Sequence, residues 1–245
     1  MSTSPQASGI PPASVPSTVE VALPAVRGWT AITALLAPVS LVAGYAYAAS
    51  ATPGFAPLSQ PLSDLGAASA TTRWVITACL AVSGLALLGT AVGLRTADSA
   101  GRWLLGTGGV LLALLGLQPN HVPGKFTLLH TLGSEFTFVL LALWPAMSAR
   151  MGPRVPWPLR RLVGVGVSVL TFLLLQLTLW GLILRADTDG IRETILYLVV
   201  ALWPLVVVAW LMVRGPGAAY RTGARPVAPE TEGSAGAGGD QQRRK

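Results

Sequence analysis

Residues 127–147 read TLLHTLGSEFTFVLLALWPAM, with no Lys or Arg and a single carboxylate, Glu135. A helix rises about 1.5 Å per residue, so a run of this length covers the roughly 30 Å of a bilayer's hydrocarbon core. It predicts a transmembrane helix over 127–148. Five more apolar runs predict spans at 29–49, 74–94, 103–118, 162–183 and 194–213, the third being the shortest. The expected fold class is all-α, a six-helix transmembrane bundle over 27–213 between a disordered leader (1–26) and a disordered tail (214–245).

Composition agrees with the spans. The chain is 52% apolar and 11% charged, with a mean hydropathy of +0.59, values that exclude an ordinary water-soluble domain. Residues 1–26 are rich in Ser, Pro and Ala and carry no Lys or Arg. They lack the basic start, short apolar core and cleavage site of a secretory signal, so a retained leader is expected. The tail from Arg214 is too poor in apolar residues to offset its ordering entropy. Cys79 is the one cysteine, which excludes an intrachain disulfide and a cysteine-rich metal site.

Charge sets the orientation. Arg27, Arg95, Arg102, Arg150, Arg154, Arg160, Arg161 and six tail residues put thirteen cations on one side, against Arg73, Lys125, Arg185 and Arg192 on the other. By the positive-inside rule both termini are cytoplasmic in a multi-pass protein of the plasma membrane. This asymmetry accounts for the net charge of +7, so no nucleic-acid partner is implied. Arginine exceeds lysine fifteen to two, which suggests a bacterium with a high-GC genome. Trp29, Trp103 and Trp210 suit the inner interface, and Tyr47, Trp74 and Trp180 the outer.

An acid inside a span marks a functional site by default. On a helical wheel Thr127, His130, Thr131, Ser134, Glu135 and Thr137 share an arc of about 160°, so the fourth span is amphipathic in its outer half. His130 and Glu135 stand at the two flanks of that arc. Two readings are open: Ser, Thr and His serve as interhelical glue with Glu135 held as a neutral acid, or the arc is a ligand or proton site. Gln176, at similar depth in the fifth span, is a partner for Glu135 in either case.

The outer loops add to the same side. In the first, Ser63 is expected to cap a short helix and Asp64 to cap or to line a site. In the third, Gln118, Asn120 and His121 precede a tight turn at Pro123-Gly124-Lys125. Asp187, Asp189, Arg192 and Glu193 read as solvated loop residues. Small residues at packing spacing, such as Gly89 with Gly93, Gly109 with Ala113 and Gly44 with Ala48, predict close helix approach. Pro38 should kink the first span. Ala-Leu-Trp-Pro occurs at both 142–145 and 201–204, and coincidence explains it better than duplication.

The chain has no Walker loop, dinucleotide fingerprint, Gly-x-Ser-x-Gly elbow or His-Glu-x-x-His helix. No cofactor or metal is expected, since a zinc site would need His121, His130 and carboxylates such as Asp64 or Glu135 gathered by the fold alone.

The loop PLSQPLSDLGA (57–67) followed by Arg73-Trp74, the runs GLALLGTAVGLR (84–95) and GLQPN (116–120), His130, and GIRETILYLVVALW (190–203) together resemble the domain-of-unknown-function 998 family. The resemblance spans 29–213 and implies a multi-span membrane protein of bacteria or archaea, with no activity attached. The chain departs from the family at Gln118-Pro119-Asn120, where members carry Phe-Pro and a nearby acid.

The leading expectation is an outward-opening polar pocket, lined by Glu135, His130, Ser134 and Gln176 and roofed by the loop around Asp64, that binds a lipid headgroup or small polar solute. The competing classes are a membrane-embedded hydrolase or transferase using Glu135, His130 or Asp64, and a small transporter or a structural or assembly partner. Membrane lipids are the expected partners, and an oligomer is allowed.

Overall fold

The computed structural model describes residues 18–118, 128–184 and 187–222. Within them lie seven helices: α1 Thr30–Ala51, α2 Leu62–Leu65, α3 Arg73–Gly93, α4 Ser99–Leu115, α5 Leu128–Met147, α6 Arg161–Leu184 and α7 Asp189–Arg214. Five of them, α1, α3, α5, α6 and α7, are long and apolar enough to cross a membrane. The chain is a multi-pass membrane protein with an all-helical body. The third expected span corresponds to α4, which is apolar but has only 17 residues.

The long helices pack in chain order into a closed ring, α1 on α3, α3 on α4, α4 on α5, α5 on α6, α6 on α7 and α7 back on α1. Across the ring, the Phe138 ring of α5 meets the Tyr197 ring of α7 edge-on at 4.8 Å. Leu87, Leu105, Leu141, Trp144, Leu196 and Val207 fill the interior. Apolar side chains also cover the outside, as at Ile32, Leu162 and Val213, the pattern that lipid as solvent requires.

Small residues let the backbones close up. A β-carbon built on Gly84 would run into the Gly109 carbonyl and the Ala113 amide, and one on Gly109 would lie 2.6 Å from the Gly84 carbonyl. On the other face of α3, β-carbons on Gly89 and Gly93 would meet Thr33 and Thr30 of α1, and one on Gly44 would meet Cys79. Buried hydroxyls bond carbonyls: Ser83 donates to the Ala37 carbonyl of α1 at 2.9 Å, beside Pro38, and to the Ala86 carbonyl Thr90 donates at 2.9 Å. Pro38 lies inside a continuous α1. Pro145 stands two residues from the end of α5, whereas Pro204 lies mid-way along α7, so the two Ala-Leu-Trp-Pro quartets occupy different structural positions.

Three expectations need correction. The leader and tail contain a ribbon: β1, Thr18–Ala22, pairs antiparallel with β2, Ala218–Thr222, in the register Glu20 with Tyr220. Two strands alone are marginal, and this pair is held by what surrounds it. Leu23 N–H donates to the Gly217 carbonyl at 3.0 Å, Ala218 N–H reaches the Arg154 carbonyl at 3.4 Å, and Arg154 pairs with Glu20 at 3.5 Å. Second, α7 starts at Asp189, five residues before the predicted span, so Asp189, Arg192 and Glu193 are helical. An aspartate in the first turn suits the helix dipole. Third, Ser63 is inside α2 and makes no side-chain cap, the cap position being Pro61. Residues 1–17 and 223–245 of the leader and tail, Arg185, and the stretch with Asn120, His121 and the Pro123-Gly124-Lys125 turn lie outside the described residues.

Candidate functional site

The loop between α1 and α3 is built as a roof. Gln60 folds it locally, its side-chain oxygen accepting the Ala56 N–H at 2.7 Å and its own N–H donating to the Ala56 carbonyl at 2.8 Å. Leu62 and Leu65 of α2 and the adjacent Ala67 are buried, so the apolar side of this short helix plugs the bundle. Thr72 closes the loop by donating to the Leu65 carbonyl at 3.0 Å.

The roof is fastened to the first two turns of α7. A carboxylate oxygen of Glu193 accepts the Ser63 N–H at 3.3 Å, supplying the acceptor that α2 lacks in its own sequence. The Ile191 N–H donates to the Leu58 carbonyl at 3.2 Å. Gly190 permits this approach, because a β-carbon there would strike the Pro57 and Gln60 carbonyls. Sequence reasoning took Glu193 for a solvated loop residue. The signal that could have found it is spacing, since Gly190, Glu193 and Tyr197 fall at i, i+3 and i+7 on one helical stripe.

Asp64 lies on the other side of α2. It lines a cavity of about 230 Å³ together with Thr52, Phe55, Gln60, Ser69 and Thr71. Among the described residues no donor reaches its carboxylate, and burial raises its pKa above the ordinary aspartate value. Phe55 is steadied by an edge-on contact with Tyr45, ring centres 6.3 Å apart.

Beneath the roof is a second, much smaller space of about 20 Å³, lined in part by Ser63, Thr77, Gln118, His130 and Tyr197. That is room for about one water. Its walls are tied by Thr77, which donates to the Gly116 carbonyl at 2.7 Å, and by the His130 Nδ1–H, which donates to the Gln118 carbonyl at 2.9 Å. With the proton on Nδ1, Nε2 is left as the acceptor.

The five candidate residues stand in separate settings, Asp64 and His130 each lining a cavity of its own. Gln176 and Glu135 meet between α5 and α6, the amide donating to the carboxylate at 2.9 Å. Neither residue lines the Asp64 or the His130 cavity. Ser134 turns back on its own helix, donating to the His130 carbonyl at 2.7 Å, as Thr137 does to Gly133. Such back-bonding satisfies hydroxyls in lipid without a partner helix. Among the described residues no group of three His, Cys, Asp or Glu side chains is placed to hold a metal ion; His121 is not among them.

Residues 35–210 match the family model described as "Protein of unknown function (DUF998)". No curated protein and no solved structure matches the chain.

Proposed function

The chain belongs to the DUF998 family of proteins of unknown function, and from that premise we propose a six-span protein of the bacterial plasma membrane that binds a small amine-bearing solute in the outward cavity at Asp64. The observation that carries the reading is a half-buried carboxylate without a protein donor in the wall of a cavity of about 230 Å³. A carboxylate in that position favours a cation, which replaces the solvation that burial removes. The Phe55 ring adds a face for an ammonium group, and Thr52, Ser69 and Thr71 offer hydroxyls. The volume is below the usual range for drug-sized ligands, roughly 300–1,000 Å³, so the solute is small.

Six crossings are supported by the ribbon. Pairing β1 with β2 brings the two ends of the helical body together, which suits an even number of spans. α4 would measure about 25 Å at 1.5 Å per residue, a shortfall that a bilayer accommodates by local thinning. Cytoplasmic termini follow from the excess of arginine at that end.

The test is a thermal-shift series on the detergent-solubilised full chain with ethanolamine, choline and glycerol. Both cations should raise the melting temperature, glycerol should not, and Asp64→Asn should remove the response. An equal response to all three, or one that survives Asp64→Asn, overturns the proposal.

A further inference from the structure

The end of the bundle that carries the β1–β2 ribbon has a groove of its own. Between α3 and α4, about 380 Å³ of open space runs from Val110 and Leu88 past Gly106 and Val92 to Arg102 and Trp103 at the start of α4. The lining is almost wholly apolar in its deeper part, and Val92, Trp103 and Val110 are exposed on the outside of the ring. Gly106 keeps the slot open, since a β-carbon there would lie 3.3 Å from Leu88 and 3.5 Å from Ala91.

The mouth of the groove is strongly cationic. Arg102 spends Nε and one terminal nitrogen on the Ala91 and Val92 carbonyls, at 2.8 and 3.3 Å, capping the last turn of α3. Its remaining nitrogen has no acceptor among the described residues. Arg27, Arg95 and Arg150 all lie within coulombic reach of it. Asp98 neutralises Arg150, at 2.9 Å. Arg27 and Arg95 are exposed, and among the described residues neither they nor Arg102 has a carboxylate partner.

We infer that this groove binds an anionic phospholipid from the adjoining leaflet, with an acyl chain in the slot beside Gly106 and the phosphate at the Arg102–Arg95–Arg27 cluster. The observation that selects this occupant is the match of charge along the groove: an apolar slot of lipid-tail character ends in an arginine cluster that is only partly neutralised. A second transmembrane helix would cover the slot but leave the arginines facing one another. Basic pockets between helices at this depth recognise anionic headgroups, and Trp103 suits the interface where headgroup and chain meet. The site lies at the opposite end of the bundle from the Asp64 cavity and does not depend on it.

Native mass spectrometry of the full-length protein tests this, after equilibration with equal amounts of phosphatidylglycerol and phosphatidylcholine of identical chains. Phosphatidylglycerol should be retained preferentially. Arg95→Gln should cut that preference about fivefold, the usual weight of one basic residue at an anionic surface. Thr107→Trp, at an exposed position in the slot, should lower retention of both lipids. Arg102→Gln should abolish the preference, but it also uncaps α3, so Arg95→Gln and Thr107→Trp carry the test where that variant unfolds. Equal retention of the two lipids, retention unchanged in Thr107→Trp, or a protein dimer with no bound lipid each overturns the inference.

Discussion

The Gln176 side-chain amide donates to the Glu135 carboxylate at 2.9 Å, and with it α6 is tied to α5 near the middle of the bundle. α6 needs the tie, because among its described side chains only a narrow set, Gly164, Ser168, Thr171, Leu175 and Gly181, is buried. Ser168 helps from the far end of the interface, accepting the Ala146 N–H at 3.0 Å. Removing Gln176 as Gln176→Leu leaves a part-buried acid between α5 and α6 without its donor, whereas Glu135→Leu leaves an amide that is cheaper to strand. We expect Gln176→Leu to cost about 1–3 kcal/mol, Glu135→Leu less, and the double variant less than Gln176→Leu alone. Reversible unfolding in mixed detergent micelles measures all three, and strictly additive losses would show that the pair is not coupled.

Glu193 joins distant parts of the sequence, holding the Ser63 N–H at 3.3 Å from the second turn of α7. Glu193→Ala strands that amide and frees the roof from α7, at a cost of about 1–3 kcal/mol. Glu193→Gln retains an acceptor oxygen and should cost less. Hydrogen exchange over residues 57–67 should accelerate in Glu193→Ala while α4 and α5 keep their protection. Uniform acceleration throughout the helices would instead mean that the carboxylate supports the whole bundle.

Glycines on the same helical body should respond in opposite ways. Gly84→Ala places a methyl against the Gly109 carbonyl and the Ala113 amide, both backbone groups that cannot turn aside, and should cost about 1–3 kcal/mol as overpacking does. Gly166→Ala in α6 has nothing within 4 Å of the new methyl. Relief of glycine's backbone entropy should make it neutral or stabilising by up to about 1 kcal/mol. Melting temperatures of the two variants compare them directly.

What could be read from the sequence follows from the range over which each signal acts. Length and apolarity belong to single segments, so the runs at 29–49 and 74–94 fall close to α1 and α3. The small-residue spacings around Gly44, Gly89 and Gly109 correspond to close helix contacts, because in lipid a face without side chains is where backbones meet. The expected partner for Glu135 was legible from depth alone. Features made by two distant segments were not. Ser63 reads as a cap because its neighbours give no hint that Glu193 brings the acceptor from α7. TVEVA at 18–22 is too short to predict a strand when its partner begins at Ala218. The setting of each candidate side chain was hidden for a related reason: a helical wheel sets the angle of His130, Ser134 and Glu135 but not the partner each reaches, which is a carbonyl of its own helix for Ser134, the Gln118 carbonyl for His130 and the Gln176 amide for Glu135.

Asp64 gives the prediction in which pH and ligand oppose one another. Burial raises its folded-state pKa above the ordinary aspartate value, so between the two values the unfolded chain has lost a proton that the folded chain still holds. Stability from this group is therefore complete below the unfolded value and declines as pH rises through the raised one. Subtracting the unfolding free energies of Asp64→Asn isolates the effect, since the asparagine does not titrate. The difference, wild type minus variant, should fall over that window and then level off. A bound amine requires the ionised carboxylate and should reverse the trend, its affinity for the wild type rising with pH across the same window. Equilibrium unfolding from pH 3 upward, with and without ethanolamine, reads both slopes. A difference that is flat in pH would show that Asp64 is solvated like any surface carboxylate, and with that the cavity would lose its reason to prefer a cation.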